Sequence, residues 1–311
     1  MTTHDKFGAA VVDDDYLEDG YYNGLNDEIL SILSANSDFY YKEALDTSSA
    51  SITLTAGKTY TFTSMNVVTN DLELTGTSTT PTVFIVDGNV VISATIDGTG
   101  NGFVGGIGGN NGAGANGSSH TIIISAGEGH GLGGAKDGGT VGAAGVFTPF
   151  VITPSTAKSL FNIMGGAGAG GGGSGSATSN VGATGGAGGA GIIIICKGNF
   201  NGAGGTIDVS GDDGAGGAAG NSGGAGGGGG AGGMIVIAYG GTYSAATYTI
   251  AGGSGGAGAA GGSTGGAGGG GGDSVGGDAV AGSANAGGTG GAGGAGSSGA
   301  SYIFEIDIDR G

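Results

Sequence analysis

The side chains that could do chemistry are few, and their spacing decides what they can do. Asp97, Asp208 and Asp307 fall at similar places in a repeated segment. Carboxylates stacked in successive layers could serve as the acid and base of a polysaccharide depolymerase. The same placement suits solvated aspartates at turns or strand edges, and that structural reading is preferred. Asp273 and Asp278 lie in a glycine-rich run but are not repeated, whereas a calcium β-roll needs an aspartate at a fixed place in each nonapeptide. His4, His120 and His130 have no metal-ligand spacing with cysteine or carboxylates. The single cysteine, Cys196, ends the run IIIIC, which marks a buried strand thiol and rules out a disulfide within the chain. Matches to G-x-G-x-x-G are many, but this much glycine guarantees them, and no Walker A lysine follows. The expectation is no catalytic residue, no cofactor and no metal: a protein that is not an enzyme.

Recognition chemistry is left to the larger side chains. The richest interruption of the glycine is residues 131–164, with Lys136, Phe147, Phe150 and Phe161 beside Pro149 and Pro154. Stiffened loops with exposed aromatics are favoured at binding surfaces. Two readings stand: a recognition loop, or a small satellite core or subunit contact. A second set, Tyr16, Tyr21, Tyr22, Ile29, Leu30, Tyr40 and Tyr41, lies in an acidic N-terminal segment. Asn26 is a plausible N-cap there, followed by a crude apolar stripe of Ile29, Leu30, Ile32 and Leu33. A segment this short cannot build its own core, so it is expected to dock as an attachment or oligomerisation piece.

The elements that position these groups are strands. From residue 50 to 97, apolar residues alternate with threonine and serine, as in SITLTAGKTYTFT, the mark of half-buried strands. A repeat then emerges: VFIVDGNVVISATIDGTG from Val83, IIIICKGNFNGAGGTIDVSG from Ile192, MIVIAYGGTYSAATYTIAGG from Met234 and a shortened YIFEIDIDRG from Tyr302. Each reads as an apolar strand, a glycine turn, a second strand and a glycine-rich exit. Repeated strand pairs imply stacked rungs of a sheet or solenoid. HTIIISAGEG from His120 is a candidate fifth strand. Ile192 to Ile195 and Met234 to Ala238 are expected side by side or in equivalent rungs.

The glycine between the repeats has a period of three. Ser254, Ala257, Ala260 and Ser263 recur in one stretch, Thr289, Ala292 and Ala295 in another, Ala187 and Ala190 in a third. A polyproline-II-type helix has three residues per turn and rises about 3.1 Å per residue. Every third residue then shares one edge, and the bare edges let neighbouring helices pair through their N–H and C=O groups. The expectation is a polyglycine II helix bundle.

Composition sets the bounds. Of 311 residues 85 are glycine and only 3 proline, so collagen and proline-rich linkers are out. The formal net charge is −18, from 25 acidic and 7 basic residues, which excludes nucleic-acid binding through phosphates. Residues 1–46 hold 11 acidic and 2 basic residues. That acidity reads as solubility, or as docking to a basic partner or scattered cation binding. No apolar stretch approaches the roughly 18 residues of a membrane span, and no secretory h-region is visible. A protein made in the cytosol and not exported by the signal-peptide route is expected.

Strands such as IIIICKGNFNGAGGTIDVSG, separated by stretches such as GGAGGAG, resemble the glycine-rich proteins of phage tail-fibre tips and related virion proteins. The resemblance covers about residues 83–311. It implies layered polyglycine II helices whose tip loops bind a host receptor. It also implies a homo-oligomer, for instance a trimer, among other virion proteins, released by lysis. The chain departs from tail-tip adhesins in its strand pairs and its acidic N-terminus. The fold class expected is mostly β, with stacked strand pairs, a polyglycine II bundle and little α. The expected divisions are 1–46 (attachment or oligomerisation), 47–118 (β-strand domain) and 119–311 (strand pairs with glycine excursions). The rival functions are a self-assembling extracellular filament or surface-layer subunit, and the depolymerase.

Overall fold

The computed structural model describes residues 43–109 except 79, then 113–114, 142, 169, 171–173, 181–263, 265–272, 279–284 and 289–306. These residues form strands and irregular segments, with no helix among them. The strands are laid down in rungs. The first rung holds β1 (Leu45–Asp46), β2 (Ile52–Thr55) and β3 (Thr59–Phe62). The second holds β4 (Met65–Val67), β5 (Leu72–Thr75) and β6 (Thr82–Val86), and the third β7 (Val90–Ile92), β8 (Thr95–Asp97) and β9 (Gly191–Cys196). The fourth has β10 (Phe200–Asn201) and β11 (Thr206–Asp208), then the outlying β12 (Gly220–Ser222), then β13 (Met234–Tyr239). The fifth has β14 (Tyr243–Ser244), β15 (Thr247–Thr249), the outlying β16 (Gly261–Ser263) and β17 (Ala300–Glu305).

Each rung gives one strand to each of three five-stranded sheets: β1-β4-β7-β10-β14, β2-β5-β8-β11-β15 and β3-β6-β9-β13-β17. All their pairings are parallel. The described body is therefore a β-solenoid-like stack, and parallel pairing follows because every rung runs the same way round. The sequence repeat expected as a strand pair is a triplet. VVI and TID, read together as one second strand, lie in different sheets. Three-residue strands are too short to carry a period-two signal.

The three sheets enclose one core, in which Met65, Ile92, Leu72, Ile96, Phe84, Ile194 and Ile237 are fully buried. Burying each such side chain is worth roughly 1.5–3 kcal/mol. Register keeps like residues stacked: Phe84 on Ile194, and Ile194 on Ile237. β9 and β13 lie side by side as expected, with Ile192 opposite Ile235. The offset is thus one residue longer than the apparent start of the two repeats at Ile192 and Met234. That matters because a one-residue slip exchanges the two faces of a strand. The opposite face of this sheet is also apolar: Val83, Ile85, Ile193, Ile195, Val236 and Ala238 form a second buried cluster. Buried on both faces, β9 reads as an unbroken IIII rather than an alternation.

The corners explain where the glycine goes. Between the second and third sheets, the first rung crosses in residues 56–58 and the second in 76–81. The turn glycines here, Gly57 (φ 72°) and Gly76 (φ 79°), sit in the left-handed region that only glycine adopts freely. From the third rung on, the same corner is opened. The chain leaves after β8, β11 and β15 and returns at β9, β13 and β17. The three glycine-rich excursions thus leave and re-enter the solenoid at one corner.

Candidate functional site

The excursions meet beside the solenoid, and their backbone hydrogen bonds recur every third residue. Gly211, Gly214 and Gly217 donate to the carbonyls of Ala251, Ser254 and Ala257 at 2.8–2.9 Å. Gly224, Gly227, Gly230 and Gly233 donate to Ala218, Ala215, Asp212 and Val209. Gly226, Gly229 and Gly232 donate to Gly291, Gly294 and Ser297. The same segment accepts from Gly253, Gly256 and Ala259, from Gly266, Gly269 and Gly272, and from Ala183, Gly186 and Gly189. Segment 223–233 is therefore bonded to glycine-rich neighbours in several directions, and every residue in it is buried.

This arrangement offsets part of the entropy cost of ordering glycine. Ordering one residue costs about 1–2 kcal/mol, and one hydrogen bond returns about 0.5–1.5. Gly227 makes two, donating to Ala215 and accepting from Gly256, and Gly230 likewise donates to Asp212 and accepts from Gly253. Close approach also demands glycine. A Cβ on Gly230 would run into the Ala187 carbonyl, and one on Gly256 into the Ala215 carbonyl. In two of the outer stretches the spaced side chains face out, whereas the small Ala183, Ala225 and Ala231 are buried within the bundle. Ser254, Ala257 and Ala260 are exposed while Gly253 and Gly256 are buried, and Val181 and Thr184 are exposed while Gly182, Ala183, Gly185 and Gly186 are buried.

The carboxylates singled out by sequence come together in part. Glu73 pairs with Asp97 and Asp97 with Asp208, one column across three rungs. Asp97 Oδ1 accepts from the Thr99 N–H at 3.0 Å and Asp208 Oδ1 from the Ser210 N–H at 2.9 Å. Each aspartate thus holds the bend at which an excursion begins, in keeping with a structural role. Asp307, Asp273, Asp278 and the three histidines lie outside the described residues. Close by, the Asp212 carboxyl is raised above its usual range by partial desolvation, then by the charges of Asp213 and Asp97. Among the described residues no group of His, Cys, Asp and Glu is arranged to hold a metal ion. Cys196 is fully buried, and that burial pushes its thiol up to about 12, so it stays protonated and unreactive at neutral pH.

Sequence reasoning missed two side-chain sets that hold the frame. One is a ladder at the glycine turns. The Asn199 N–H donates to Asn89 Oδ1 and the Thr242 N–H to Asn199 Oδ1, both at 2.8 Å. The repeated GN of DGN and KGN was its signal. The other is aromatic stacking between successive rungs, Tyr60 on Phe84 (6.0 Å between centroids) and Phe200 on Tyr243 (5.6 Å). The candidate recognition residues Lys136, Phe147, Phe150 and Phe161 lie outside the described residues. So do the candidate assembly residues Tyr16, Tyr21, Tyr22, Ile29, Leu30, Tyr40 and Tyr41. No protein-family model, curated protein or solved structure matches the chain. Among the described residues no helix is long and apolar enough to cross a membrane.

Proposed function

We propose that the chain is a non-enzymatic structural protein of a phage particle, a tail-fibre, tail-tip or head-fibre subunit. In this reading a β-solenoid frame carries a bundle of polyglycine II helices. The observation that carries it is the three-residue register of the hydrogen bonds between glycine-rich segments, the repeat of a helix with three residues per turn. The hand is consistent: the positive-φ glycines among the described residues are Gly57, Gly76, Gly100 and Gly204. None of these lies in segments 182–190 or 211–233 or in the described residues of 250–299, and negative φ belongs to the left-handed form. Such a body is stiff and offers mostly backbone and small side chains, which suits a strut better than a catalyst. The strand and glycine motifs that resemble tail-fibre tip proteins supply the phage context. The chain then works as a homo-oligomer, for instance a trimer, with residues 1–42 joining it to other virion proteins and residues 131–164 meeting a host receptor.

The test is location. Antibodies to the chain, viewed by electron microscopy on particles from its native source, are expected to mark a fibre or tail tip. Label confined to cells, or to filaments free of capsids, overturns the proposal.

The filament reading retains one supporting observation. The first and fifth rungs of all three sheets have no further strand partner among the described residues, and open parallel edges are templates for another chain. Purified protein that elongates unaided in a sedimentation assay would favour that reading; a fixed small oligomer favours the virion subunit.

A further inference from the structure

We propose that a second copy of the chain docks face to face on the outer side of the layer formed by segments 103–109, 181–188 and 212–218, centred on Ile107. The inference rests on the reading of the chain as a homo-oligomer, and it pairs the copies two by two. It starts from the hydrogen bonds that make the layer. Gly182, Gly185 and Gly188 donate to the carbonyls of Gly109, Gly106 and Phe103, and Asp212 and Ala215 to those of Ala187 and Thr184, at 2.8–3.0 Å. Behind the layer lies the rest of the bundle. Gly106 and Gly109 donate to Ala169 and Gly172, and Ala183, Gly186 and Gly189 to Ala225, Gly228 and Ala231. The other side of the layer is therefore its outer face. Exposed side chains recur there at a period of three: Val104 and Ile107, then Val181 and Thr184, then Ala215 and Ala218.

Composition singles this face out. The exposed large apolar residues among the described ones are Val104 (46%), Ile107 (73%), Val181 (43%), Val280 and Ile303, and the first three share this layer. Apolar residues exposed singly are ordinary, but a cluster of them marks an interaction surface. Register gathers the cluster. With Gly185 bonded to Gly106 and Ala215 to Thr184, Ile107, Thr184 and Ala215 fall at one level of neighbouring segments. Two observations choose the occupant. The first is charge. The chain carries −18, so most approaches of two copies meet like-charge repulsion. Within these three segments the only charged residues are Asp212 and Asp213, at the end next to the solenoid strand β11. Two copies laid antiparallel about Ile107 keep those acidic ends apart. The second is the repeat. Side chains on this face recur about every 9 Å along a segment, against about 5.4 Å per turn of an α-helix and about 6.7 Å along a strand. A surface of the same repeat seats its ridges in the glycine-lined gaps along the whole face, and another copy of this layer has that repeat. Two like faces meeting about a two-fold axis make an isologous contact.

Sedimentation of the full chain over a range of concentrations tests this. So few side chains make a small contact, so the native chain should associate two by two as its concentration rises. Ile107→Asp sets two charges against each other at the centre of the face and should abolish that step. Its melting curve should stay unchanged, because Ile107 is exposed. Val280→Asp is also at an exposed position, on a segment bonded to Gly271 and Ala295 rather than to this layer, and should associate as the native chain does. A native chain that stays monomeric at every concentration overturns the homo-oligomer reading and this inference together. A native chain that associates while Ile107→Asp associates equally well overturns the docking face alone, and so does an equal loss in Val280→Asp. A lowered melting temperature in Ile107→Asp with association unchanged also overturns it, since a segment of the same chain then covers the face. If Ile107→Asp fails to fold, Ile107→Cys decides. A two-fold axis at this residue puts the introduced thiols of two copies within disulfide reach, while Cys196 is fully buried. Mild oxidation should link two copies, and a folded variant that stays unlinked overturns the proposal.

Discussion

A single methyl group is the unit of discrimination in the glycine bundle. At Gly256 an added Cβ meets the Ala215 carbonyl, a backbone atom that cannot swing aside. Gly256→Val is therefore expected to destabilise the protein by at least about 1–3 kcal/mol, the usual cost of overpacking. Ala257→Val, one residue on and exposed, should change stability by less than about 0.5 kcal/mol. Denaturant midpoints of the two variants check this, and equal effects would mean that the bundle does not pack as described. Cys196 gives a pH prediction. Its thiol, ordinarily at 9.0, is held at about 12 in the fold by burial. The folded state keeps a proton that the unfolded chain gives up, so stability should fall as pH rises from about 9 towards 12. Tyr248, pushed up by burial and by its hydrogen bond to Tyr243, acts in the same direction. Cys196→Ala should lessen that slope in thermal melts taken across the interval. The outward period of Ser254, Ala257 and Ala260 was legible from spacing alone. The Asn89–Asn199 ladder was not, because a repeated GN reads as a turn and does not reveal what its side chain accepts.

At the scale of the element, β9 and β13 are the central strands of their sheet, buried on both faces. Ile194→Asp should abolish soluble folding, since it buries a charge with no partner; a folded, soluble variant would remove these strands from the core. The turn ladder is a gentler case. Asn199→Ala removes the acceptor of the Thr242 N–H and should cost about 0.5–1.5 kcal/mol. Lys197 bonds Asp87 at 2.7 Å at the same corner, but both side chains are about half exposed. Lys197→Ala should therefore cost less than about 1 kcal/mol, and comparing the two melting curves orders the effects. The strands with strong apolar runs were readable in sequence. The short strands VVI and TID were not separable, because assigning them to two sheets depends on a bend at Ser93–Ala94 that carries no glycine or proline signal.

For the whole molecule, hydrogen exchange should be graded by position in the bundle. Residues 224–232 are bonded to several neighbouring segments and are buried throughout, so their amides should exchange most slowly among the glycine-rich stretches. Residues 212–218 are largely exposed and should exchange faster. Uniform free-peptide rates across both would end the ordered-bundle reading. The amino-acid sequence by itself determined the composition of this architecture: repeated β-branched strands, and glycine-rich stretches in which the larger residues recur at a period of three. Those follow from local rules, since strand alternation and the spacing of residues along a stretch are properties of neighbouring residues. Only the tertiary structure decided that each repeat closes round three sheets, that the excursions leave from one corner, and that segment 223–233 lies among the others. These depend on which carbonyl each glycine N–H meets, a choice between chemically identical partners far apart in the chain.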